Sequence, residues 1–194
     1  MPIAKKGSDF KPLPEGLTLG VCYAIIDLGT QYSEKWGKEQ HKVCLIWELP
    51  DVEPIEIDGK DMPRVISRIY TLSLGSKALL RNHLETWRGK KFTKEQLEGF
   101  DLKVLLGANC QIQIIHEHKG EDTYANISTI VNVPKGHKKV DPVNQTVVYE
   151  IGEQVPDDGS IPEWICKLIR EAREWDWAAG DDNQDNGIPE EESE

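Results

Sequence analysis

Three short stretches of the sequence place aromatic side chains beside basic ones. The densest is TWRGKKFT, in which Trp87 and Phe92 flank Arg88, Lys90 and Lys91. Aromatic rings stack on unpaired bases, and lysine or arginine neutralises phosphates, so binding of a single nucleic-acid strand requires these two residue types together. The stretch is therefore a candidate contact for such a strand.

Two further stretches repeat the pattern. Trp36 lies between Lys35 and Lys38, and Tyr70 follows Arg68. We expect bases to stack on some of the aromatic side chains in this set: Trp36, Tyr70, Trp87 and Phe92. We expect phosphates to contact the basic side chains around them: Lys35, Lys38, Arg68, Lys77, Arg81, Arg88, Lys90 and Lys91.

A structural role is the alternative for several of these residues. Trp87 could pack inward at the end of a helix, followed by solvated lysines, and Tyr70 could be a core residue of the sheet. Trp47 shares one strand face with Val43, Leu45 and Leu49, which predicts a core position for its ring. At the level of sequence both alternatives stay open for Trp87 and Tyr70.

The distribution of charge bears on whether nucleic acid is a reasonable partner. The net charge is −11, but residues 1–150 hold 20 basic and 20 acidic side chains, whereas residues 151–194 hold 3 basic and 14 acidic ones. The acidic excess is therefore confined to the C-terminal part. The remainder is neutral with local basic clusters, so the overall acidity does not exclude a phosphate-rich ligand.

A Mg²⁺-dependent nuclease is the enzymatic alternative. Asp101, followed by Glu117 and Lys119, fits the loose spacing of a site in which two carboxylates hold the metal and a lysine orients the attacking water. The pattern is short and occurs by chance. The four cysteines are widely separated and have no metal-ligand spacing. We therefore predict a protein without catalytic activity, metal or cofactor.

The predicted secondary structure is mainly β. Helical spacing of apolar residues after Ser76 predicts a helix with Ser76 as its N-cap. Thr93, with Gln96 three residues later, predicts a capping box on a second, shorter helix. Stretches rich in β-branched residues and bounded by turn residues predict strands at 20–29, 41–49, 65–74, 108–118 and 124–133.

The order strand, strand, strand, helix, strand, strand is that of a five-stranded OB barrel, which has a helix between its third and fourth strands. The predicted organisation is an N-terminal arm (1–19), an OB-type nucleic-acid-binding domain (20–136), a linker that could hold a short strand (137–160), an amphipathic helix (161–179) and a disordered acidic tail (180–194).

Several phrases between Gly20 and Pro134 have the layout of a known group of proteins: IIDLGTQ, HKVCLIWELP, ISRIYTLSLGSKALLRNHLETWRGKKFT, LLGANCQIQI and YANISTIVNVPKG. On these phrases the chain resembles phage-encoded single-stranded DNA-binding or replication-accessory proteins with OB folds. The resemblance implies binding of single-stranded DNA in phage replication or recombination, without cofactor or catalysis, in the cytoplasm of a bacterial host.

The ending, DDNQDNGIPEEESE, is similar to the tails of bacterial and phage single-stranded DNA-binding proteins, where acidic residues precede an apolar tip. Here EEESE follows the tip, instead of a terminal Phe. Such tails recruit partner proteins and can compete with DNA for a basic groove. The similarity implies that replication or recombination proteins bind Asp181, Asp182, Asp185, Ile188 and Pro189.

Two other questions stay open at this stage. An adaptor or virion protein that binds only other proteins is the main alternative function, and OB barrels serve that role too. The sequence also leaves homo-oligomerisation open. No apolar stretch has the length of a signal peptide or a membrane span, so we expect a cytoplasmic protein without a membrane partner.

Overall fold

The computed structural model describes residues 12–34, 37–57 and 59–175. Lys35, Trp36 and the five tail residues predicted to bind partners lie outside them. The strands are β1 (Gly16–Ser33), β2 (Lys38–Leu49), β3 (Ile55–Ile57), β4 (Lys60–Met62), β5 (Arg64–Thr71), β6 (Asn109–Lys119), β7 (Asp122–Val131) and β8 (Val147–Tyr149). The helices are α1 (Leu79–Arg88), α2 (Lys94–Glu98) and α3 (Glu163–Arg170), and a 3₁₀ segment covers Leu102–Leu105.

The main sheet has the strand order β5-β2-β1-β6-β7, with every neighbouring pair antiparallel, and β8 pairs in parallel with β1. The prediction of a mainly β chain with a helix between the third and fourth long strands is confirmed. The predicted closure into a barrel is not observed. Within the described residues, β5 and β7 end the sheet and are not paired with each other.

Strand β1 organises the sheet because it is long and bent. Its first part, Gly16–Val21, pairs with β6, and Ala24–Ile26 pairs with β8. Register shifts interrupt its pairing with β2 between Cys22 and Ala24 and between Asp27 and Gly29. Such bulges bend a strand and increase its twist. One strand can therefore take part in both halves of the curved sheet.

The two faces of the sheet are covered differently. Val43, Leu45 and Trp47 of β2 lie in a core with α1, as their alternation predicted. The intervening residues Cys44 and Ile46 are also buried, because β8 and α3 cover the opposite face of β1 and β2. Strand β2 is therefore apolar on both sides, which explains its nearly continuous apolar sequence.

The helix ends agree with the predictions in one case and differ in another. Thr93 and Gln96 form the predicted capping box, with Gln96 N donating to Thr93 Oγ1 at 3.3 Å and Thr93 N donating to Gln96 Oε1 at 3.2 Å. The N-cap prediction for Ser76 is wrong. Helix α1 begins at Leu79 after Ala78, and no side chain caps it. A turn in which Ala78 N donates to Gly75 O comes first and delays the helix.

The C-terminal helix is shorter than predicted. The predicted apolar stripe is buried, including Ile161, Ile165 and Ile169, but α3 ends at Arg170 rather than continuing to residue 179. After a bend, residues 173–175 form another helical turn beside β1. Residues 176–194 lie outside the described part of the chain.

Two predicted segments are more closely attached to the sheet than expected. Strand β1 begins at Gly16 and Leu13 is buried in the core, so the predicted N-terminal arm is shorter than 1–19. The predicted linker contains β8, and Glu48 accepts hydrogen bonds from Val143 N at 2.8 Å and Asn144 N at 2.5 Å. None of the helices in the described residues is long and apolar enough to cross a membrane.

Candidate nucleic-acid interface

The described aromatic side chains that were expected to stack on bases are instead packed into the core. Tyr70 is 3% exposed and its hydroxyl lies 2.9 Å from His83 Nδ1. Trp87 is 4% exposed and donates through Nε1 to Asn109 O at 2.9 Å. Phe92 is 7% exposed. In this structure these three rings are therefore unavailable to a nucleic-acid strand, and that expectation is not met.

The spacing of neighbouring residues explains why these rings are buried. Tyr70 lies four residues after Ile66 on β5, so both side chains point to the inner face of the sheet. Trp87 lies three residues after Leu84 on the buried face of α1. The ring of Trp87 packs 5.9 Å from that of Trp47, which is itself buried as predicted.

Two of the predicted phosphate contacts are arginines with structural partners. The guanidinium of Arg88 stacks 4.4 Å from the ring centroid of Phe92 and donates to Gln96 Oε1 at 3.1 Å. Arg68 donates to Ile127 O at 2.5 Å and so connects β5 to β7 across the unpaired edges of the sheet. We conclude that both arginines stabilise the fold.

Glu85 neutralises a further pair of predicted contacts. Its carboxylate accepts from Arg81 Nε at 3.1 Å and from Lys91 Nζ at 3.0 Å. The hydrogen bond from Lys91, with those from Phe92 N and Arg81, lowers the pKa of Glu85 to about 2. This cluster therefore carries less free positive charge than its sequence suggests. Lys90 is exposed beside it.

The structure brings Lys38 and Lys77 together in an open groove of about 790 Å³ on the outer face of β2 and β5, which we call the lysine groove. A third lysine, Lys42, lines it as well and was not predicted. The other lining residues are neutral: Gln40, Ile69, Tyr70, Thr71, Ser73, Gly75, Ser76, Ala78 and Leu79. No acidic side chain of the described residues lines the lysine groove.

The lysines of this groove are available for a ligand. Neither Lys38 nor Lys77 takes part in an ion pair within the described residues, and both are exposed. Lys42 Nζ donates to Gln40 Oε1 at 2.8 Å and to Thr71 Oγ1 at 2.9 Å, both neutral groups. Burial lowers the pKa of Lys42, which reflects the cost of desolvating an uncompensated ammonium group.

Apolar side chains lie between the lysines. Ile69 and Leu79 are each about two-fifths exposed and line the lysine groove. A surface that alternates ammonium groups with aliphatic side chains can contact both the phosphates and the faces of the bases of an extended strand. Lys42 was not predicted as a phosphate contact because it precedes the apolar part of β2, and a lysine at such a position is typical of a solvated strand end. The lysine at 42 and the apolar groups on β5 are adjacent only through β2–β5 pairing.

The residues of the alternative nuclease site lie on different elements. Asp101 precedes the 3₁₀ segment and accepts a hydrogen bond from Lys103 N at 2.9 Å. Glu117 lies near the other end of β6, about 26 Å of extended strand after Asn109. Lys119 Nζ is 3.7 Å from Glu117 Oε1. In the described part of the chain, no group of three or more His, Cys, Asp or Glu side chains could hold a metal ion.

No protein-family model matches the chain, and a search of curated proteins finds no match.

Proposed function

We propose that this protein binds single-stranded DNA, without catalysis and largely without sequence preference, through the lysine groove. The observation that carries the proposal is the composition of that groove. Lys38, Lys42 and Lys77 line it, no acidic side chain of the described residues does, and aliphatic groups lie between them. Because the sequence up to residue 150 has no net charge, such a concentration of one sign is a local feature.

The strand order supports the same proposal. We interpret the order β5-β2-β1-β6-β7, with α1 before β6, as that of an OB fold opened between its third and fifth strands. In OB folds the ligand lies on the face of the second and third strands. These correspond to β2 and β5. The lysine groove lies at one end of their outer face, beyond the part of β2 that α3 covers.

Binding would combine electrostatic and apolar contacts. Three phosphates on three lysines predict a dependence of log K on log salt with a slope of about −2. Bases would lie on Ile69 and Leu79, since the described aromatic candidates are buried. Trp36, between two lysines in the sequence, stays a candidate for stacking.

The biological setting is proposed from the resemblance and the tail. We infer a role in phage DNA replication or recombination in the host cytoplasm, where the acidic tail recruits other replication or recombination proteins. The tail also competes with DNA for the lysine groove, since it carries seven acidic and no basic side chains.

A titration with fluorescein-labelled oligo-dT at two salt concentrations tests the proposal. The variant Lys38→Ala/Lys42→Ala/Lys77→Ala should bind at least tenfold more weakly at low salt, with a shallower salt slope, because three phosphate contacts are lost. The matched control is Lys60→Ala/Lys94→Ala/Lys135→Ala, which removes the same charge from exposed positions outside the groove. Equal affinities of the two variants would reject the lysine groove as the site.

The adaptor function is supported by a different surface. Trp164 on α3 is 50% exposed and is the candidate contact for a partner protein. If the wild-type protein shows no binding to oligo-dT at low salt, the DNA proposal fails and the adaptor becomes the better explanation.

A further inference from the structure

A second cavity, of about 340 Å³, opens where β1 and β2 meet the 3₁₀ segment and β8. Its lining is mostly apolar and includes Phe100, Tyr149 and the inner-face residues Ile25 and Val43. Three carboxylates, those of Asp27, Asp101 and Glu150, also line it. We call this space the Asp27 cavity.

Asp27 is positioned with one oxygen occupied and one uncommitted. Its Oδ1 accepts from Gly29 N at 2.9 Å and lies 2.5 Å from His41 Nε2. Its Oδ2 forms no hydrogen bond within the described residues, and the side chain is 24% exposed. A partly exposed carboxylate oxygen without a protein donor is an acceptor that a ligand could use.

The charges around the cavity exclude an anionic ligand. Asp101 and Glu150 line it together with Asp27, and Lys103 is paired with Glu150 at 2.5 Å. A phosphate would be repelled there. The ligand that fits has a flat apolar body for Phe100, which is only partly buried, and an N–H donor for Asp27. A nucleobase with an exocyclic amino group has both features.

The Asp27 cavity adjoins the lysine groove. Thr71 lines the groove, and the next residue, Leu72, lines the cavity and is about two-fifths exposed. The backbone of Leu72 is fixed to β2 because its N–H donates to His41 O at 2.8 Å. The side chains of Thr71 and Leu72 point to opposite faces of the sheet, so a strand whose phosphates lie on the lysines places one base in the cavity by passing around the end of β5.

We propose that the Asp27 cavity is a base-selective subsite of the DNA-binding surface, which prefers an amino-bearing base such as cytosine over thymine. This inference rests on the proposed function. The cytosine amino group donates to Asp27 Oδ2. The N–H of thymine lies between two carbonyl oxygens, which a carboxylate repels. A single charge-assisted hydrogen bond corresponds to a preference of about tenfold.

The substitution Asp27→Asn gives a sharp test because it changes an acceptor into a donor. Gly29 N–H requires an acceptor at the Oδ1 position, so the new amide nitrogen must occupy the position of Oδ2. It then donates to a ligand, and the thymine carbonyl becomes the better partner. The expected result is that the preference reverses, which a merely structural role for Asp27 would not produce.

The experiment compares oligo-dC with oligo-dT of equal length by fluorescence anisotropy. Wild type should prefer oligo-dC about tenfold. Asp27→Asn should prefer oligo-dT, and the control Glu121→Gln, which removes an exposed carboxylate outside the cavity, should behave as wild type. Leu72→Trp, which fills the mouth of the cavity, should remove the preference while oligo-dT still binds. Equal affinities in wild type, or a cytosine preference that persists in Asp27→Asn, would overturn the subsite.

Free nucleosides separate this inference from the proposed function. Deoxycytidine, but not thymidine, should shift the amide NMR signals of Asp27, Phe100 and Tyr149 in the full-length protein. If no oligonucleotide binds and deoxycytidine still produces these shifts, the proposed function fails and the base site stands. If oligo-dT binds and deoxycytidine produces no shifts, the base site is rejected and the lysine groove stands.

Discussion

His83 is held in its neutral form by the core. Its side chain is buried, its Nδ1 lies 2.9 Å from the hydroxyl of Tyr70, and Arg68 is nearby. Burial, followed by the positive charge of Arg68, lowers the pKa of His83 from 6.5 to about 4. A histidine with a depressed pKa makes folding dependent on pH, because the unfolded chain binds a proton that the folded chain does not.

Acidification should therefore make the folded protein less stable. Well above pH 6.5 His83 is neutral in both the folded and the unfolded state and does not change the free energy of unfolding. As the pH falls from 7 to 4, the free energy of unfolding should drop by about 3 kcal/mol from this residue. Urea denaturation of wild type and His83→Gln at both pH values measures this, and the variant should show a drop smaller by that amount.

The exposed His137 provides the control. His137→Gln should retain the full pH dependence of wild type. If His83→Gln and His137→Gln show the same change between pH 7 and pH 4, the buried histidine does not cause the acid sensitivity.

Single residues were predictable where their role depended on local periodicity. Val43 and Trp47 lie in the core, as the alternation along β2 predicted. The burial of aromatic residues beside basic ones was harder to predict, because TWRGKKFT is typical both of a binding loop and of the end of a buried helix. The helical spacing of Leu80, Leu84 and Trp87 predicts the buried position that the structure shows for Trp87.

At the scale of elements, a carboxylate holds the segment after α3 to β1, and Arg173 Nε holds it to β2 through Glu39 Oε1 at 2.9 Å. Glu174 accepts from Thr30 N at 2.8 and 3.0 Å and from Thr30 Oγ1 at 2.7 Å. Although burial alone would raise the pKa of Glu174, these bonds lower it below its usual value. A side chain at Gly29 would collide with this segment, since an added Cβ would lie 2.6 Å from Glu174 Oε2 and 2.8 Å from Ala172 Cβ.

Breaking this contact should release the segment without unfolding the sheet. Glu174→Ala removes the hydrogen bonds to Thr30, which should lower the free energy of local opening by about 1.5 kcal/mol. Amide hydrogen exchange at Thr30 and in α3 should therefore become about tenfold faster. Gly29→Ala should have a similar effect through collision and its φ of 64°. Glu171→Ala, an exposed carboxylate of the same segment, is the control. Unchanged exchange in Glu174→Ala would show that the apolar contacts of α3 suffice.

The elements that the sequence predicted correctly are those with a clear local period. The long strands and α1 belong to this group. The extension of β1 back to Gly16 and the pairing of β8 depend on a partner strand, which no local pattern contains. Helix α3 ends early because the chain bends to bring Glu174 to β1, a contact 144 residues apart in the sequence.

For the whole molecule, the candidate site is a product of strand pairing. Lys38 and Lys77 were predicted as phosphate contacts from separate stretches, and β2–β5 pairing, followed by the turn before α1, brings them to one groove with Lys42. Other predicted contacts are used by the fold, as Arg68 and Arg88 are. Which basic residues remain free depends on the positions of acceptors such as Glu85, and sequence composition does not contain that information.

The charge of the whole chain has two parts with opposite consequences for DNA. Residues 181–194 carry seven acidic and no basic side chains, whereas the described lining of the lysine groove has lysines and no acid. Opposite charges on one chain attract, and the attraction weakens as salt screens it. The tail should therefore reduce the affinity for DNA at low ionic strength.

Truncation after Gly180 tests this expectation. The shortened chain should bind oligo-dT several-fold more tightly than the full chain at about 50 mM salt. The two affinities should converge at about 300 mM salt, because the shorter Debye length there screens the attraction between the tail and the lysine groove. A full-length variant with Asp181, Asp182 and Asp185 changed to Asn separates charge from length and should recover part of the gain. If the truncated and full chains bind equally at low salt, the tail does not compete for the lysine groove, and any role it has lies in recruiting partners.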